Sequence, residues 1–114
     1  MLSKSSDTIT CKSEDYENSD MGIKVIGNFE NGELVSFSSE TRINAEGSTL
    51  TASEKAEYES MYGGKFEGDY LISKQEYKLS DMTDAEKKEA FDGKITLTKD
   101  EFKKVMKDTN LTCK

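Results

Sequence analysis

Cys11 and Cys113 are the residues best placed to do covalent chemistry in this chain of 114 residues, and they lie near its opposite ends in almost the same tetrapeptide. The first is Ile9-Thr10-Cys11-Lys12 and the second is Leu111-Thr112-Cys113-Lys114. Two Cys without any His cannot complete a common zinc site. The spacing holds no Cys-x-x-Cys redox pair. A thiol nucleophile would want a His base, and the chain has none. A disulfide joining the first strand to the last segment suits the residue types and the matched contexts. Two buried free thiols in a reducing compartment are the competing state. A bridge would close a loop of about 100 residues, which the chain-entropy model values at roughly 4–5 kcal/mol. Whole domains are stable by only ~5–15 kcal/mol, so one such bond would matter.

Other constellations read as ordinary surface or core. Placing Gly93 at position six of a calcium loop puts Lys88, Ala90 and Lys99 where oxygen ligands belong, which argues against an EF-hand. Glu14, Asp15, Glu17 and Asp20 form an acidic, solvated turn around Tyr16. The pairs Glu54/Glu57 and Glu86/Glu89 have helical spacing on polar faces and read as surface charge rather than an acid/base couple. Tyr16, Tyr58, Tyr62, Tyr70 and Tyr77 read as half-buried residues with wet hydroxyls. No Gly-rich phosphate loop is present. The usual acid/base and nucleophile sets cannot be assembled, so no enzyme, cofactor or metal is expected.

The elements that position these residues must form from a lean composition. Hydrophobic residues make up 33% of the chain and charged residues 34%, so the core is small and a covalent staple helps most. The net charge is −7, with four Lys/Arg against nine Asp/Glu in residues 1–50 and twelve against fourteen in 51–114. That surface repels phosphate backbones and anionic lipid heads, so nucleic acid is not an expected partner and a cationic protein is. No apolar run exceeds four residues, which excludes a membrane-spanning helix. Residues 1–7 read as a linker and 8–114 as a single domain, expected to be monomeric.

Along the chain, Thr8 to Ser13 reads as the first strand. Met21 to Phe29 and Glu33 to Ile43 alternate apolar and polar, and Glu30-Asn31-Gly32 between them signals a hairpin. A three-residue loop with Gly32 left-handed would set Val25 opposite Phe37 and Gly27 opposite Val35, collecting apolar residues on one face. Thr51-Ala52-Ser53-Glu54, Thr83-Asp84-Ala85-Glu86 and Thr98-Lys99-Asp100-Glu101 are three capping boxes. The first opens a helix to about Tyr62 whose buried side would hold Ala52, Ala56, Tyr58, Met61 and Tyr62. The second opens a short helix to Phe91. In the third, Leu97 and Phe102 can form a hydrophobic staple, and Phe102, Val105 and Met106 line one face. Tyr70 to Leu79 reads as a long polar strand. The predicted fold is α+β: an antiparallel sheet of about four strands, two to three helices on one face, and the two ends joined through Cys11 and Cys113.

Ile9-Thr10-Cys11-Lys12, the hairpin Phe29-Glu30-Asn31-Gly32-Glu33-Leu34-Val35, the run Tyr77-Lys78-Leu79-Ser80-Asp81-Met82-Thr83-Asp84-Ala85-Glu86-Lys87-Lys88 and the closing Asn110-Leu111-Thr112-Cys113-Lys114 together carry a likeness. The chain resembles the small uncharacterised cell-envelope lipoproteins typified by YehR, in their Gram-positive forms. The resemblance implies export, a lipid-modified Cys upstream of Met1 and a compact α+β domain at the envelope. It implies no reaction. The expected function is that of a non-catalytic exported binding or interaction module. The alternative is a secreted inhibitor or blocking module against a basic protein.

Overall fold

Asn31 and Gly32 both take left-handed backbone, with φ of 52° and 82°, and turn the chain between β2 (Met21–Glu30) and β3 (Glu33–Asn44) in two residues. Both central residues of this turn type need positive φ, which Asn-Gly supplies at least cost. Glu30 therefore faces Glu33 and Phe29 faces Leu34. A bulge then shifts the register, so that Asn28 pairs with Ser36, Gly27 with Phe37 and Val25 with Ser39. The expected three-residue loop, with Val25 opposite Phe37, is thus corrected. The apolar alternation of the two strands is brought into phase by the bulge at Val35, and the turn itself stays tight. Leu34 is buried and Val35 only half-buried, the reverse of what simple alternation suggests.

The structure is a computed structural model that describes residues 6–113. In chain order it continues from β1 (Ser6–Lys12) through β2 and β3 to α1 (Ala52–Tyr62), β4 (Gly64–Glu67), β5 (Tyr70–Lys78), α2 (Asp84–Ala90), α3 (Lys99–Asp108) and β6 (Thr112–Cys113). The sheet has six strands in the order β4-β5-β3-β2-β1-β6, with every neighbouring pair antiparallel. The expectation of about four strands fell short by β4 and β6. β4 forms because the two-residue turn at Gly68-Asp69 folds it back on β5, setting Glu67 opposite Tyr70. β6 is the extended tail that β1 captures, with Cys113 opposite Cys11. β1 starts at Ser6, two residues before the expected strand, so Ser6 and Asp7 of the linker expected at 1–7 belong to the sheet, and residues 1–5 of that linker lie outside the described residues.

All three capping boxes form. Thr51, Thr83 and Thr98 each accept from the backbone N–H of the glutamate three residues on, and Glu54, Glu86 and Glu101 reach back to the cap. Each pair satisfies two of the donors that a helix start leaves orphaned. The core lies on one face of the sheet, where α3 covers β1 and β2. Ile9, Cys11, Val25 and Phe29 meet Leu97, Phe102 and Leu111 there. Phe102 stands edge-on to Phe29, with ring centroids 5.3 Å apart. Burying each such ring contributes roughly 1.5–3 kcal/mol. Leu97 and Phe102 are both buried on either side of the Thr98 cap, as the staple requires.

Among the described residues no helix is long and apolar enough to cross a membrane.

Candidate functional site

Two places on the sheet combine unusual geometry with chemistry. The first is an apolar hollow of about 380 Å3 between the sheet and the two C-terminal helices. Val25, Phe37 and Ser39 form its floor, with Tyr77 of the neighbouring β5 beside them. Val25 pairs with Ser39 and Phe37 with Tyr77, so strand register sets these four side by side. Met82 and Phe91, at the two ends of α2, make one wall. Phe102, Val105 and Met106 of α3 make the other, at the spacing that places them on one helical face.

The aromatic walls are mutually braced. Phe37 stacks on Tyr77 at 4.9 Å and meets Phe91 edge-on at 5.9 Å. Two methionines line the same space, and their unbranched thioethers adapt to varied apolar shapes. The polar groups are the Ser39 hydroxyl and that of Tyr77, which donates to the Gln75 side chain. Such a hollow offers contact area and shape, with hydroxyls to fix orientation.

The second place is a polar network on the opposite face. Tyr16 folds back from the acidic turn over Gly22, so closely that a Cβ added there would lie 2.8 Å from its ring. Its hydroxyl donates to Glu40 Oε2 at 2.6 Å, and Lys24 Nζ pairs with the same oxygen at 2.9 Å. Lys12 and Lys24, opposite one another across β1 and β2, both approach the Tyr16 ring at about 5.5 Å. Burial, then the Glu40 bond, pushes the Tyr16 hydroxyl up from its ordinary value. Burial opposes ionisation of Glu40, but the bonds from Tyr16 and Lys24 outweigh it and hold the carboxyl below its usual range. Beside this network the Arg42 guanidinium lies 4.0 Å over the Tyr70 ring. The arrangement is a structural brace, since every charge in it faces an opposite charge or an aromatic ring.

Cys11 and Cys113 are bonded to each other. The five tyrosines separate: Tyr16 is buried, Tyr70 half-buried, and Tyr58, Tyr62 and Tyr77 exposed. The acidic turn is solvated at Glu14, Asp15, Glu17 and Asp20, with only Tyr16 turned inward. Among the described residues no three of His, Cys, Asp or Glu converge. Sequence reasoning did not find the hollow. The face Phe102, Val105 and Met106 was legible, but residue types do not say whether the space before a face is filled.

No family model matches the chain, and no curated protein does. Among solved structures, the NMR structure of the E. coli YehR protein matches with a TM-score of 0.68 and 13% identity, over 98% of this chain and 93% of that one. At that identity the likeness concerns the fold alone. The chain thus shares its overall fold with YehR; in this chain the described residues form an antiparallel six-stranded sheet with three helices, clasped between Cys11 and Cys113.

Proposed function

We propose that this chain is a non-catalytic binding domain that works outside the reducing cytosol, tethered at the cell envelope, and that the hollow under α2 and α3 takes a small uncharged apolar ligand. The hollow carries the reading. At about 380 Å3 it falls within the size range of small-molecule sites, and its walls are apolar with hydroxyls in place of charges. Its largely apolar lining favours an apolar guest. The Cys11–Cys113 bond supports an oxidising compartment. The resemblance to YehR-type lipoproteins supports tethering through a lipid-modified Cys upstream. The absence of His from the sequence, with both Cys bonded, supports binding over catalysis.

Titration with the fluorescent apolar probe N-phenyl-1-naphthylamine tests the site. Saturable binding at one site is expected, abolished by Val105→Phe in a variant whose circular dichroism spectrum matches the parent's, since the added ring fills the hollow. Failure to saturate, or undiminished binding to the variant, would overturn the reading. The address is tested in intact cells with a membrane-impermeant reductant and thiol reagent. Labelling of both cysteines without lysis is expected, and labelling only after lysis would refute export.

A further inference from the structure

α1 departs from α3 in three respects. It has no buried residue, a feature it shares with α2: Lys55 and Glu59 are half-buried and the rest are exposed. The expectation that Ala52, Ala56, Tyr58, Met61 and Tyr62 would face the core is thus corrected. The reason is placement. The row Met21, Ile43, Leu71 and Phe66 crosses the helix-bearing face of the sheet, and α1 meets it at Phe66 in the outermost strand. There Tyr58 meets Phe66 edge-on at 6.4 Å, and Glu59 accepts from the Phe66 N–H at 2.8 Å. The side chains expected to be buried therefore face solvent, with Tyr58 39%, Met61 68% and Tyr62 59% exposed.

These residues are also organised. Glu54, Glu57, Tyr58 and Met61 follow helical spacing down one stripe and line a shallow hollow of about 230 Å3. Tyr62 lies nearly parallel to Tyr58, with planes 13° apart and centroids separated by 6.2 Å. Isolated apolar side chains on a surface need no explanation, but a contiguous cluster of Tyr and Met does.

The third difference is charge. α2 carries Lys87 and Lys88 in its last turn and α3 carries Lys107, whereas α1 has no basic residue in its last turn. The partial negative charge of its C-terminal end is therefore unmatched by any side chain of that turn, beside Met61 and Tyr62. Residues 51–69 hold five acidic residues (Glu54, Glu57, Glu59, Glu67, Asp69) against Lys55 and Lys65, a net charge of −3. Aromatic faces, carboxylates and a helix C-terminus with no basic residue in its last turn all favour a cation.

We infer that the exposed stripe of α1 is a docking surface for a basic segment of another protein, whose Lys or Arg side chains lie over Tyr58 and Tyr62 and meet Glu54 and Glu57. A second copy of this chain would bring like charges together, and an anionic membrane would meet the same carboxylates. The surface is separate from the hollow under α2 and α3, so the two readings stand or fall independently.

The test is titration of the whole isotope-labelled chain with a twelve-residue peptide of alternating Arg and Ala, followed by NMR at fixed low salt. Amide shifts confined to residues 54–66 are expected. Met61→Ala, Tyr62→Ser and Glu57→Gln should each weaken binding by about tenfold, the scale of a typical interface anchor. Glu14→Gln/Asp15→Asn removes two charges from the remote acidic turn and should leave affinity within about twofold. Equal losses in that control, or shifts spread over the acidic turn, would reduce the effect to bulk charge and overturn the proposal. Concentration-dependent dimerisation lost in Tyr62→Ser would overturn it too, by assigning the stripe to a second copy.

Discussion

The Phe102 ring lies so close over Gly27 that a Cβ built on Gly27 would stand 2.8 Å from its Cζ. The contact joins α3 to the middle of β2, at the one inward position of that strand where a side chain is missing. Gly27 is thus kept small by packing, and Phe102 fills the dimple that results. Gly27→Ala is expected to cost about 1–3 kcal/mol through overpacking. Pairing it with Phe102→Leu should return part of that loss. Chemical denaturation of the two single variants and the double variant measures the coupling, and strict additivity would break the link between them.

Cys11 and Cys113 face one another across β1 and β6. Reduction, or Cys11→Ser/Cys113→Ser, should remove about 2–5 kcal/mol and lower Tm by about 10 °C or more. Melts with and without reductant check this. β6 has only two residues to hold it, so the tail after Leu111 should become labile first, visible as faster amide exchange at Thr112.

The capping boxes should divide by what their helices bury. Thr98→Ala removes the cap of the helix that carries Phe102, and should lower global stability by about 1 kcal/mol. Thr51→Ala makes the same local change on α1, which buries nothing. Its effect should be confined to faster hydrogen exchange in the first turn of α1, with Tm almost unmoved. Equal shifts in Tm would contradict the exposed placement of α1.

Acid and base should each release the brace around Tyr16. Glu40 has its carboxyl lowered from 4.5 in the folded chain, so its contribution is present above that value and lost as pH falls through the folded one. Lys94 and the Thr98 cap likewise hold Glu101 down at about 2, so the third capping box weakens on the same acid limb. Tyr16 is raised above 10.0, so its contribution is complete below that pH and is lost as pH climbs toward the folded value. Tyr16→Phe should cost about 1–3 kcal/mol at neutral pH by leaving Glu40 without that donor. The variant's Glu40 should titrate closer to 4.5 by NMR, and its deficit should shrink below that pH.

Signals contained within four residues were legible in the sequence. Thr51, Thr83 and Thr98 with their glutamates each marked a helix start, because a capping box is a local bargain between one hydroxyl, one carboxylate and two N–H groups. The matched contexts of Cys11 and Cys113 likewise pointed to their bond. What escaped depended on the partner surface. Gly64-Lys65-Phe66-Glu67 is too short for alternation to register as a strand. Tyr58, Met61 and Tyr62 have the same spacing whether or not a sheet lies beneath them. The bulge at Val35 leaves only two adjacent apolar residues, Leu34 and Val35, as its trace, and so the register shift was assigned to the turn. The hollow is invisible for a similar reason, being a property of distances between elements.

The covalent clasp also decides how the domain responds to pulling. A load applied between Cys11 and Cys113 themselves is borne by the sulfur–sulfur bond and not by the strand pairing inside the loop they close. The 102-residue separation between the two cysteines is therefore shielded from extension, and roughly 340 Å of contour, at ~3.3 Å per residue, cannot be drawn out until that bond is reduced. Under mechanical load, the stretch between the two cysteines would behave as a link of constant length.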